Sequence, residues 1–242
     1  MSTTLVTGAN RGIGLEFCRQ LKARGDDVIA VCRSSSPDLD QLDIEVIEDV
    51  DVADPESVAQ LASRLTGRRI DILINNAGVL RRDSLGTLAA ESVTDMVDQF
   101  RTNSLGPILV TEALMPNLQK GSKVGIVTSR MGSVTDNTSG GYYGYRMSKA
   151  AVNIAGVSLA RDLADRGIAV ALLHPGYVRT DMTGQEGFID PDEAARGLIQ
   201  RHRTEAHQPV QQLAVGGPVA EDHQGQQAEH DVADPHAQPR AE

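Results

Sequence analysis

Short, continuous apolar runs recur along the chain at Leu5-Val6, Val28 to Val31, Ile44 to Ile47, Ile70 to Ile74, Val124 to Val127 and Ile168 to Leu173, with helical stretches between them. A strand with one wet face alternates apolar and polar residues. One covered by helices on both faces is apolar throughout, and these runs have that character. Strand and helix in strict alternation is the rhythm of a parallel sheet. The expected fold class is therefore α/β, a doubly wound parallel sheet in a single domain over residues 1–200. A ligand of such a sheet lies outside the carboxyl ends of its strands.

The turn after the first run narrows the choice. Thr7-Gly8-Ala9-Asn10-Arg11-Gly12-Ile13-Gly14 follows a strand and opens an amphipathic stretch through Phe17 and Leu21. Gly8 can make the tight bend, Gly12 can let backbone approach a pyrophosphate, and Gly14 can pack the helix close, with phosphate at the helix N-terminus. The spacing differs from the common G-x-G-x-x-G pattern. At the end of the second strand, Cys32-Arg33 stands where an acid would receive the ribose hydroxyls of NAD. An arginine there favours a 2'-phosphate. Arg11 supplies a second cation, so NADP(H) is the expected cofactor, with NAD(H) possible and a solvated surface role for either arginine left open.

Tyr145 and Lys149 lie four apart in Tyr145-Arg146-Met147-Ser148-Lys149, which sets an ammonium beside a phenol on a helix. Bringing a phenol from its pKa near ~10 to neutrality takes roughly three units, about 4 kcal/mol of preference for the phenolate. A neighbouring cation acts in that direction. Such a pair suits a proton donor.

These segments, with Asn75-Asn76-Ala77-Gly78, Ser129 and Pro175-Gly176, occur in an order that resembles the short-chain dehydrogenase/reductase family over residues 1 to roughly 200. The stretch Gly140-Gly141-Tyr142-Tyr143-Gly144 before Tyr145 is similar to the C-factor-like and sniffer-like carbonyl reductases. The resemblance implies a Rossmann-like domain, hydride transfer between NADP(H) and a carbonyl or alcohol, and catalysis by Ser129, Tyr145, Lys149 and Asn103. Asn103 would anchor a water leading to Lys149, and Gly106-Pro107 makes a helix kink there plausible. Ser129 stands sixteen residues before Tyr145, a longer gap than most members have, and Ser133 is the runner-up. The resemblance assigns cofactor contacts to Gly8, Asn10, Arg11, Gly12, Ile13, Gly14, Arg33, Asp51, Val52, Asn76, Ala77, Gly78, Tyr145, Lys149, Pro175, Gly176, Val178 and Thr180. It also implies a homodimer through helices at Leu105 to Leu118 and Tyr145 to Leu163, with a tetramer undecided.

Composition limits the partners. A net charge of −10 over 242 residues disfavours nucleic acid and anionic membrane, which leaves small molecules. No run is long enough to span a bilayer and no signal-peptide core precedes the first strand, so a soluble cytoplasmic protein is expected. Cys18 and Cys32 read as packed, reduced thiols. Residues 201–242 are rich in Gln, His, Pro and acids and read as a disordered tail. His202, His207, His223, His230 and His236 fall there at irregular spacing, so no metal site is expected. No strand beyond Ile168 to Leu173 is visible. That gap sustains an alternative function, a cofactor-binding signalling protein with little or no turnover.

Overall fold

The computed structural model describes residues 2–204 and 212–214. Its strands are β1 (Thr3–Thr7), β2 (Asp27–Val31), β3 (Glu45–Ile47), β4 (Ile70–Asn75), β5 (Leu118–Val127), β6 (Ala169–His174) and β7 (Gln212–Ala214). They form one sheet in the order β3-β2-β1-β4-β5-β6-β7, and each neighbouring pair is parallel. The helices are α1 (Gly12–Ala23), α2 (Pro37–Asp40), α3 (Pro55–Arg64), α4 (Ala90–Phe100), α5 (Gly106–Ala113), α6 (Tyr143–Asp162) and α7 (Pro191–Thr204).

The continuous apolar runs are explained by two cores, one on each face of the sheet. Leu5, Ile29 and Leu172 belong to one, with Val110 and Val152 from the helices on that side. Their chain neighbours Val6, Ala30 and Leu173 belong to the other, with Phe17, Cys18 and Leu198. Successive strand residues point to opposite faces, so both must be apolar. Phe17 and Leu21 seat α1 on its face, each burial worth about 1.5–3 kcal/mol. Cys18 and Cys32 are free and buried; desolvation pushes the Cys18 thiol up to about 12 and Cys32 to about 11, so both are inert at neutral pH.

β1 pairs with β2 on one side and β4 on the other, and the order of winding reverses between β1 and β4. A crevice opens there, outside the carboxyl ends of the strands. It is the position the alternation of runs anticipates.

Two expectations need correction. The expected helix from Leu105 to Leu118 is shorter, because α5 stops at Ala113 and β5 already begins at Leu118. It continues α4 through a π-helical turn at Arg101–Leu105. Pro107 is the cause: it has no N–H to give, so the α-helical ladder cannot pass it unchanged. Secondly, a strand does follow β6, since Gln212 to Ala214 pair with Leu172 to His174. Ladder bonds are made by backbone, so a short segment without an apolar run can make them. Helix α7 ends at Thr204. The remaining tail, with His207, His223, His230 and His236, lies outside the described residues. No helix among the described residues is long and apolar enough to cross a membrane.

Candidate active site

Gly8 carries φ +66, and a Cβ there would stand 2.7 Å from Ala77 Cα. A Cβ on Gly14 would lie 2.1 Å from the Gly8 carbonyl oxygen. Both contacts are with backbone, so only glycine allows β1, α1 and the chain after β4 to meet this closely. Asn76 fastens the junction, its Nδ2 donating to the carbonyls of Thr7 (3.0 Å) and Gly8 (3.1 Å). Thr7 Oγ1 accepts from the backbone N–H groups of Asn76 and Ala77, each at 3.1 Å. The Asn-Ala-Gly segment therefore braces the sheet as well as walling the cleft.

A cavity of about 380 Å³ fills the crevice. Gly8, Asn10, Arg11, Gly12, Ile13, Gly14, Arg33, Asp51, Val52, Asn76, Ala77, Gly78 and Thr180 line it. Val79, Thr102 and Asp181 also line it; a loop and a helix far apart in sequence bring them there, and no local signal marks them. Pro175, Gly176 and Val178 are not in its wall. They lead from β6 into the segment that brings Thr180 against Gly12, with Thr180 Cγ2 3.4 Å from where a Gly12 Cβ would be. The N-cap residue of α1, Arg11, offers no side-chain hydrogen bond, and the helix has no acid in its first turn. Uncapped N–H groups at that end suit a phosphate.

At the ribose end, Arg33 is exposed and forms no ion pair among the described residues. Arg11 pairs with Asp181 at 3.6 Å across the cleft mouth, so it is the less available of the two cations. Asn10 Nδ2 donates to the Ser34 carbonyl at 3.0 Å, holding the loop after β2 against the glycine turn.

Across the cleft, α6 presents Tyr145 and Lys149, both buried. Ser129 is placed where its hydroxyl favours the ionised form of the Tyr145 phenol. Ser129 caps the 3₁₀ turn Arg130–Gly132 just beyond β5, its Oγ accepting from Met131 N at 3.1 Å. Ser133 instead faces Thr135, with their hydroxyl oxygens 3.2 Å apart. Lys149 Nζ donates to the Val127 carbonyl at 2.9 Å and stands 5.8 Å from the Tyr145 ring centroid.

The electrostatics differ from the sequence expectation. Burial pushes the Tyr145 phenol up to about 12, with the Ser129 hydrogen bond opposing it, and lowers the Lys149 ammonium to about 8. Desolvation outweighs attraction because the ammonium is turned toward Val127. At neutral pH the phenol therefore holds its proton, as a donor must.

Asn103 sits in the π-helical turn, almost wholly buried. Its Nδ2 donates to the Val79 carbonyl (2.8 Å) and to Ser148 Oγ (3.0 Å), and its Oδ1 accepts from Val79 N at 2.8 Å. The side chain is thus committed to structure. Its backbone carbonyl is another matter: the α-helical donor to it would be residue 107, a proline.

The family model for short chain dehydrogenases matches residues 2–187. The chain belongs to the short chain dehydrogenase family. This short chain dehydrogenase is 47% identical over 206 residues to 1-hydroxy-2-glutathionyl-2-methyl-3-butene dehydrogenase of Rhodococcus sp. (strain AD45), covering 83% of this chain and 90% of that one. Its fold matches an NADP-bound putative short-chain dehydrogenase/reductase from Burkholderia multivorans at TM-score 0.80 and 32% identity, covering 88% of this chain and 96% of the other. Carbonyl reductase Sniffer of D. melanogaster aligns at TM-score 0.77 and 27% identity, covering 84% and 92%.

One glycine of this dehydrogenase is a constraint that the sequence reading did not single out. A Cβ on Gly132 would lie 2.6 Å from the backbone carbonyl carbon of Lys149. The turn carrying Ser129 is thereby pressed directly onto the helix carrying the ammonium.

Proposed function

We propose that this oxidoreductase is an NADPH-dependent carbonyl reductase acting on a small ketone, aldehyde or quinone, with Tyr145 as the proton donor. The observation that carries this reading is the buried Tyr145 phenol with the Lys149 ammonium 5.8 Å from its ring centroid and the turn that Ser129 begins pressed against the same helix. NADP(H) fits the cleft through the uncapped start of α1, the glycine turn and the unpaired Arg33, and the Burkholderia relative carries NADP. NAD(H) has no use for Arg33 and is the weaker ligand. Bound there, the nicotinamide supplies hydride to the carbonyl carbon.

The remaining work belongs to the chain. Tyr145 gives its proton to the developing alkoxide, and Ser129 donates a hydrogen bond to the same oxygen. Lys149 stabilises the phenolate left behind. It has three N–H donors and spends one on Val127, which leaves two for the ribose hydroxyls of the cofactor. The Asn103 carbonyl receives a water that returns a proton toward Lys149. Screening small aldehydes, ketones and quinones for stoichiometric NADPH oxidation tests the proposal. Inertness to all of them despite tight NADPH binding would contradict it and favour the non-catalytic alternative, whose premise was an empty sheet edge where β7 now lies.

Arg33→Ala is expected to weaken NADPH binding by about ten- to a hundredfold, the worth of a charge-assisted phosphate contact of ~1.5–3 kcal/mol, with NADH binding unchanged. A fluorescence titration with each cofactor reads this directly. An equal loss for both would remove Arg33 from the 2'-phosphate.

The pH dependence follows from Lys149. Its ammonium is lowered to about 8, so the charged form is complete below that pH and is lost as pH rises through it. Reduction needs that charge to stabilise the phenolate, so kcat falls on the alkaline side, by about tenfold per pH unit. Lys149→Arg keeps the charge and should remove this limb even if it lowers the rate. A limb unmoved in Lys149→Arg would assign it to another group.

The homodimer is also part of this proposal, through a face slightly different from the one expected. Val93, Val97 and Phe100 form an exposed stripe on α4, and Met147 and Ile154 another on α6. Residues spaced by three, four or seven share one side of a helix. Ile154→Glu should convert a dimer to a monomer in sedimentation velocity; a wild-type monomer would refute the pairing.

A further inference from the structure

We propose that Asp83 is a positioning residue for the reaction, fixing Tyr145 by capping the first turn of α6 from the loop between β4 and α4. This rests on the reading of Tyr145 as proton donor. α6 supplies no cap of its own: its N-cap residue Tyr142 is in the left-handed region at φ 52 and offers no side-chain hydrogen bond. Nor is there an acid in its first turn.

Asp83, in the loop between β4 and α4, takes all three leading N–H groups. Its backbone carbonyl accepts from Tyr142 N at 2.9 Å, its Oδ1 from Tyr143 N, and its Oδ2 from Gly144 N at 3.0 Å. The side chain is buried, forms no ion pair among the described residues and faces the N–H groups at the positive end of the helix. Tyr145 is the next residue along, so the direction of the phenol depends on how this turn is clamped.

The clamp is itself anchored. Arg81 N donates to Gln99 Oε1 at 2.8 Å, and Gln99 is fully buried on α4. A Cβ on Gly144 would stand 2.6 Å from Gln99 Nε2, so Gly144 is what lets α4 approach the start of α6. The same loop leaves the cleft wall at Gly78, and Val79 is tied to Asn103. Cofactor wall, acid and relay are thus joined through one loop.

An asparagine at 83 keeps the size of the side chain but has one acceptor oxygen, and its amide nitrogen would face the second N–H donor. The test uses the full chain as Asp83→Asn and Asp83→Ala, with NADPH titration as the measure of a formed cleft and a small para-quinone as substrate. Wild type and Tyr145→Phe are run alongside. Asp83→Asn should bind NADPH within about twofold of wild type while kcat falls about a hundredfold, the scale of loss for a reacting group displaced by about 1 Å. The deuterium isotope effect on kcat with NADPH labelled at the transferred hydrogen should rise, because the chemical step becomes slower than product release. A cap serving only stability would lower the melting temperature and leave kcat of the folded fraction and the isotope effect unchanged, which would overturn the proposal. If Asp83→Ala does not fold, Asp83→Asn decides. Tyr145→Phe inactive with Asp83→Asn at the wild-type rate defeats this inference alone, whereas Tyr145→Phe at the wild-type rate defeats the donor reading and this inference with it.

Discussion

Tyr145→Phe is expected to bind NADPH as the wild type does and to lose turnover by about 10²- to 10⁴-fold, the usual contribution of a positioned general acid. The cavity wall does not include Tyr145, so the cofactor site survives the change. The lost hydroxyl is the proposed proton donor itself, and phenylalanine has no proton to give in its place. Loss of affinity in parallel with loss of rate would mean that the phenol serves binding. Single-turnover kinetics with enzyme-bound NADPH separate the two results.

The second large effect concerns the serine. Ser129→Ala should cost about 10²- to 10³-fold in kcat, the effect of deleting one donor to a developing oxyanion, whereas Ser133→Ala should leave kcat within about twofold. Spacing along the chain could not decide between them. Ser129 caps the turn packed on α6, whereas Ser133 is tied to Thr135 and to Asp136 N. The reverse result from steady-state kinetics of the two variants would move the oxyanion donor to the loop. A retained rate in both variants would leave the alkoxide stabilised by Tyr145 alone.

The sheet was legible because its demands are local. Leu5 and Val6, or Leu172 and Leu173, must both be apolar when each face of a strand is covered, and that pattern survives in sequence. The glycine turn was legible for a similar reason: Gly8 and Gly14 meet backbone at distances no side chain tolerates. Tyr145 and Lys149 declared themselves by helical spacing. What stayed hidden depends on contacts across the fold. Asp83 caps a helix that begins 60 residues later, so nothing near α6 announces it. The direction of the Tyr145 shift is set by burial, which spacing cannot reveal. β7 was missed because a three-residue parallel pairing uses backbone alone. The length of α5 stayed hidden because a Gly-Pro inside an apolar stretch has the same sequence pattern whether it kinks one helix or, as here, follows a π-helical turn joining α4 to α5.

Transfer of the label from NADPH deuterated at the reactive nicotinamide carbon tests the central claim most directly. With a small aldehyde as acceptor, mass spectrometry of the alcohol product should find one deuterium on the former carbonyl carbon for each cofactor oxidised, and none with Tyr145→Phe on the same time scale. NADPH that binds tightly and stays reduced with every acceptor, or is oxidised without passing its label to the product, would contradict the account.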